Sequence, residues 1–109
     1  MIKDFKIFLQ HILDAISCIE TYVKGVSKDE FIKNQKIQDA TFRCLEIIGE
    51  AVKNLPDKYK QEHPAIEWKK IAGMRDKLIH QYFDLDLDLV WLTIQKDIPL
   101  LKKQINKLL

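Results

Sequence analysis

Leu87, Trp91, Ile94, Ile98, Leu101, Ile105 and Leu108 follow one another at steps of four and three without exception. Only a helix gathers residues so spaced onto one face. The stretch is therefore predicted to be an amphipathic helix over about 87–108, with a stripe that must be buried against other elements. Phe5, Phe8, Ile12, Ile16, Ile19 and Val23 repeat the pattern before Gly25 supplies a stop, which predicts a first helix over roughly residues 2–24. A third stripe of Ile37, Ala40, Cys44, Leu45, Ile48, Ala51, Val52 and Leu55 runs up to Pro56, which cannot extend the ladder, so a long second helix is expected to end near Asn54.

Between these stripes the chain is punctuated. Ser27-Lys28-Asp29-Glu30 reads as a capping box at which the chain restarts. Residues 56–65 are polar, include Pro56 and Pro64, and read as the main loop; Pro64 suits the first turn of a short helical stretch carrying Trp68 and Ile71. Gly73 predicts a break before a further helix over about 74–83, and Pro99 predicts a kink in the last helix. No alternating strand pattern or internal repeat is present. The fold class expected is all-α, an up-and-down bundle of four main helices plus short helical segments, as one domain over residues 1–109.

With 47% hydrophobic residues, a chain of this length can bury such stripes without staples. Cys18 and Cys44 lie in different predicted helices without C-x-x-C spacing, so two free, mostly buried thiols are expected rather than a zinc site or a disulfide. No apolar run reaches membrane-spanning length, and Lys3 and Asp4 fall where a signal core would have to be, so a cytoplasmic protein is expected. The net charge of +2 does not by itself indicate a nucleic-acid binder. Its distribution is uneven: Lys53, Lys58, Lys60, Lys69, Lys70, Arg75 and Lys77 precede Asp84, Asp86 and Asp88. A basic approach and a solvated lysine face account equally well for the first group.

The chemistry concentrates in Arg75-Asp76-Lys77-Leu78-Ile79-His80-Gln81-Tyr82. Cleaving RNA with side chains alone requires a base active near neutral pH for the 2′-hydroxyl and a fixed cation for the phosphorane, roles that suit His80 and Arg75. Asp76, four residues before His80, is placed to orient the imidazole, although an ordinary surface pair explains it as well. On a straight helix Ile71, Met74, Leu78 and Tyr82 share the packing face, Arg75 sits at its edge and His80 points nearly opposite. Arg75 and His80 are then about 140° apart, so a shared site needs either a distorted helix end near Gln81 or contributions from two subunits. His11 and His63 are isolated, no glycine-rich phosphate loop is present, and Gly49 reads as a point of close helix packing. Trp68 and Trp91 read as core anchors.

Read as R-x4-H-x-Y, with Gly73-Met74 before it and Phe83-Asp84-Leu85-Asp86 after it, the segment resembles the signature of the HEPN superfamily. More narrowly it resembles the small HepT-like toxins encoded beside minimal nucleotidyltransferases. The likeness extends to Leu45-Glu46-Ile47-Ile48-Gly49-Glu50-Ala51-Val52-Lys53-Asn54-Leu55-Pro56, to Trp68-Lys69-Lys70-Ile71-Ala72-Gly73 and to the chain length. The resemblance implies a homodimer with a composite cleft, an endoribonuclease needing no cofactor, and a 2′,3′-cyclic phosphate product. It further implies that a cognate nucleotidyltransferase antitoxin silences the nuclease by adenylylating Tyr82, and it suggests transfer RNA as the substrate. Two other readings compete: a non-catalytic helical subunit that presents a nucleotide or nucleic acid to a partner nucleotidyltransferase, and a purely structural dimerisation bundle.

Overall fold

A computed structural model of the chain describes residues 5–109, with Tyr82 described by its backbone alone. Helices and turns account for its elements, with no strand among the described residues. The first helix, α1 (Lys6–Val23), ends at Lys24, and Gly25 then takes the positive φ of 72° that suits glycine in the turn. Ser27 caps α2 (Lys28–Lys33): its Oγ accepts from the Glu30 amide at 3.2 Å and donates to the Glu30 carboxylate at 3.2 Å.

The long helix expected to follow that cap is divided. Asn34 closes α2 and caps α3 (Gln35–Asn54), its side chain accepting from the Ile37 amide at 3.0 Å. Buried Gln38 donates to the Phe31 and Ile32 carbonyls at 2.9 Å each, so the carbonyls freed by the break are satisfied from within the next helix. The fully buried Phe31 packs its ring against Trp91, centroids 5.2 Å apart.

The expected loop contains a short helix, α4 (Asp57–Gln61), and Pro64 lies in the turn that follows it. Trp68, buried as a core anchor, donates from Nε1 to the Lys60 and His63 carbonyls at 3.1 and 3.0 Å, binding this turn to the start of α5 (Trp68–His80). The helix break expected at Gly73 does not occur. A helical glycine costs about 1 kcal/mol relative to alanine, which is less than the packing of Ile71, Met74 and Leu78 on the core returns. The helix instead stops at His80, short of residue 83. A 3-10 turn (Tyr82–Asp84) follows, and Asp86 caps α6 (Leu87–Leu92) by accepting from the Asp88 and Leu89 amides.

The expected irregularity at Pro99 takes the form of a π-turn, Thr93–Asp97, leading into α7 (Ile98–Asn106). Ile98 donates to the Thr93 carbonyl five residues back, and Pro99 falls in the first turn of α7, where its missing N–H is not needed. The four main helices are thus α1, α3, α5 and the run α6 to α7. Ile12, Ile16, Ile19, Ile48, Val52, Leu78, Ile94, Leu101 and Ile105 share one buried core. Helix α3 packs against α1 on one side and α5 on the other, while α7 closes onto α1. No helix among the described residues is long and apolar enough to cross a membrane.

Candidate active site

Arg75 is positioned by α3. A methyl group at Gly49 would overlap the Arg75 Cβ and come within 2.8 Å of its Cγ, so glycine is what lets α5 lie close enough for the arginine stem to cross α3. This is the close packing that the sequence predicts for Gly49. The Arg75 side chain is only 22% exposed. Its NH1 donates to the Asp76 Oδ1 at 3.1 Å, its NH2 lies 3.6 Å from the Glu50 Oε1, and its buried Nε has no hydrogen-bond partner among the described residues. The guanidinium is therefore anchored at its root, with part of its donor capacity unused.

Asp76 serves a different partner from the one expected. The sequence suggests an i to i+4 pairing with His80, but the carboxylate instead takes Lys53 Nζ at 2.6 Å together with Arg75. Charge-assisted bonds from Lys53 on α3 and from the adjoining guanidinium satisfy the carboxylate. The hydrogen bonds from Lys53 and then Arg75 hold the Asp76 carboxyl below the usual carboxylate range.

His80 is the last residue of α5 and is exposed. The distortion near Gln81 begins one residue too late to turn it: Gln81 leaves the helix at φ −133°, ψ 29°, still donating to the Lys77 carbonyl at 2.8 Å. Five regular helical steps separate His80 from Arg75, which is about 140° of rotation and about 7.5 Å of rise. One chain brings Arg75 and Asp76 together, while His80 lies one turn beyond Asp76 and points about 140° away from Arg75. The Tyr82 side chain, expected to be the modification site, lies outside the described residues. Exposed Ile79 and Phe83 flank this end of the helix, and Phe83 is 81% exposed.

Of the lysines leading to the motif, Lys53 pairs with Asp76, Lys60 with Asp57, and Lys70 with Glu67 and Asp97. Asp88 reaches back to Lys28 at 2.8 Å. Sequence reading placed Lys53 in the basic group but missed its partner, and it named Glu50 without pairing it with Arg75. The available signal was that Gly49, Glu50 and Lys53 lie within about one turn on the helix face marked by the glycine. Of the thiols, Cys44 is buried as expected, whereas Cys18 is exposed. Burial first, and then the neighbouring Cys18, push the Cys44 thiol up to about 11.

The bundle and the Arg75 to His80 segment define a HEPN-type helical protein. The family model described as "Ribonuclease HepT-like" matches residues 12–108, and the chain belongs to this family. It is 48% identical over 102 residues to a Caldanaerobacter subterraneus subsp. tengcongensis protein provisionally named an RNase, covering 94% of this chain and 91% of that one. It is 44% identical over 108 residues to the "Probable ribonuclease HepT" of Thermococcus cleftensis, covering 99% of this chain and 98% of that one. A Methanocaldococcus jannaschii protein, named a gamma-glutamylcyclotransferase and provisionally an RNase, is 49% identical over all 109 residues, and the chain spans about half (49%) of its length. Among solved structures none matches at the same stringency.

Proposed function

We propose that the chain is an endoribonuclease toxin that cleaves RNA with its own side chains, at a cleft shared by two copies. Membership of the HepT-like family and the RNase names of full-length relatives support the activity. The observation that carries the shared cleft is the splay on α5: Arg75 leans into α3 while His80 stands exposed beyond it. A second copy related by a two-fold axis would set the His80 of one chain against the Arg75 of the other and cover Ile79 and Phe83.

In that cleft His80 takes the proton of a 2′-hydroxyl, and the oxygen attacks the adjacent phosphorus. The bond to the 5′-oxygen breaks, and that oxygen leaves with a proton returned by the imidazolium. The products are a 2′,3′-cyclic phosphate and a 5′-hydroxyl. Arg75 holds the phosphate and steadies the phosphorane charge. Asp76 pairs with Arg75 in the absence of RNA and does not orient the imidazole. Transfer RNA is the substrate to try first.

Regulation falls to Tyr82: a cognate minimal nucleotidyltransferase antitoxin joins the phenol oxygen to the α-phosphorus of ATP, the bond to pyrophosphate breaks, and the phenol proton passes to solvent. The added phosphate brings negative charge that opposes the RNA backbone. Intact mass after co-expression with the neighbouring gene is expected to show adenylyl additions that vanish in Tyr82→Phe. Activity is tested with His80→Ala, which is expected to abolish cleavage while leaving folding and self-association unchanged. A fully active His80→Ala protein would discard the catalytic assignment.

A further inference from the structure

Lys53 and Arg75 both donate to one oxygen, Asp76 Oδ1, at 2.6 and 3.1 Å, so the two cationic nitrogens lie within about 6 Å of each other. Such a span matches two donors gripping the non-bridging oxygens of one phosphate, each at about 2.8 Å. We infer that Lys53 is a second phosphate-binding residue of the proposed ribonuclease cleft, with Asp76 Oδ1 occupying the position that a substrate phosphate oxygen takes when RNA arrives. This rests on the ribonuclease reading and adds to it a residue from α3, outside the R-x4-H-x-Y segment.

A purely structural account of Lys53 is weak. Its side chain is 42% exposed and that of Asp76 46%, and exposed pairs of this kind contribute little to stability. The helices are already joined by Leu45, Ile48 and Val52 on α3 with Ile71 and Leu78 on α5, and Arg75 on α5 already reaches Glu50 on α3. A further exposed ion pair adds little to holding the helices together. Its effect on local charge is larger. Glu50, Lys53, Arg75 and Asp76 form a neutral group. Without Lys53 the group around Arg75 would carry an excess negative charge and repel the phosphate it is there to bind. When a phosphate oxygen displaces Asp76 Oδ1, Arg75 stays anchored over Gly49 and the flexible four-carbon stem keeps Nζ on the same point.

The test is binding of a fluorescent 2′-O-methyl oligouridylate, which cannot be cleaved, as a function of salt concentration. Wild type, Lys53→Met, Lys53→Arg and Asp76→Asn are compared, with thermal unfolding of each and cleavage of unmodified RNA by wild type run alongside. Each lysine lost from a single-stranded phosphate contact lowers the slope of log affinity against log salt by about 0.7. Lys53→Met is expected to show that loss with several-fold weaker binding and an unchanged unfolding temperature. Lys53→Arg should restore the slope, and Asp76→Asn should bind at least as tightly as wild type. A Lys53→Met protein that keeps the wild-type slope, in a preparation whose wild type binds and cleaves RNA, overturns the assignment and leaves the ribonuclease reading standing. Weaker binding without a change of slope assigns Lys53 to support of Arg75 and overturns it too. A wild type that neither binds nor cleaves RNA removes both.

Discussion

Gly49 and Gly73 are both helical, yet they differ in what surrounds them. A side chain at Gly49 meets the stem of Arg75, whereas one at Gly73 meets nothing within 4 Å. Gly49→Ala is therefore expected to destabilise by about 1–3 kcal/mol, through displacement of the arginine or separation of the helices. Gly73→Ala is expected to stabilise by about 0.4–1 kcal/mol by narrowing the unfolded ensemble at no steric cost. Denaturant melts of the two variants check the opposite signs, and a destabilised Gly73→Ala would contradict the open surroundings described for it. At neutral pH the Lys53–Asp76–Arg75 group is fully formed. Because the Asp76 carboxyl is held low in the folded chain, its contribution is present above the ordinary carboxylate pKa and is lost as pH falls through the lowered value. The packing role of Gly49, the place of Arg75 at the edge of the packed face and the outward position of His80 were legible in the sequence, the first as a missing side chain and the other two from helical phase. Lys53 was legible only as a charge, because its partner lies 23 residues away on another helix and nothing local specifies that pairing.

At the scale of elements, the stripes located the main helices, because a buried face leaves a periodic record whatever it packs against. Boundaries set by single hydrogen bonds left much less. Asn34 interrupts no stripe, yet it ends one helix and starts the next, with Gln38 reaching back to cap the first from a buried position. Gly73 misled in the opposite direction, since a local propensity cost gave way to tertiary packing. Pro99 was expected to kink the last helix, whereas the feature found is a π-turn over Thr93–Asp97 just before it, because the sequence does not show which carbonyl the widened turn releases. Asn34→Ala is expected to cost about 0.5–2 kcal/mol through loss of the α3 cap. At about 4–8 °C per kcal/mol for a chain of this size, thermal unfolding resolves that loss readily. Asn34→Asp, which keeps the accepting oxygen beside the helix N-terminus, should recover most of it; failure of that rescue would show that the cap bond is not what Asn34 contributes.

For the whole molecule the consequence of an unbroken α5 is that a lone chain holds the two halves of the proposed site facing apart. If copies pair as proposed, each cleft takes Arg75 from one chain and His80 from the other, and the defects of Arg75→Ala and His80→Ala lie in different halves. Either variant alone has no intact cleft. In a mixed dimer one cleft receives both alanines, while the other receives a native arginine from the His80→Ala chain and a native histidine from the Arg75→Ala chain. Random reassortment makes about half the dimers mixed, each with one of two clefts intact, so an equimolar mixture is expected to recover about a quarter of wild-type cleavage. Recovery should follow the rate of subunit exchange, and it should disappear when each variant is first locked to its own kind by a crosslink away from α5. A mixture as inactive as its parents, with exchange confirmed by native mass spectrometry of size-tagged chains, would mean that each site is drawn from one chain. The helix would then have to unwind between Arg75 and His80 on binding RNA.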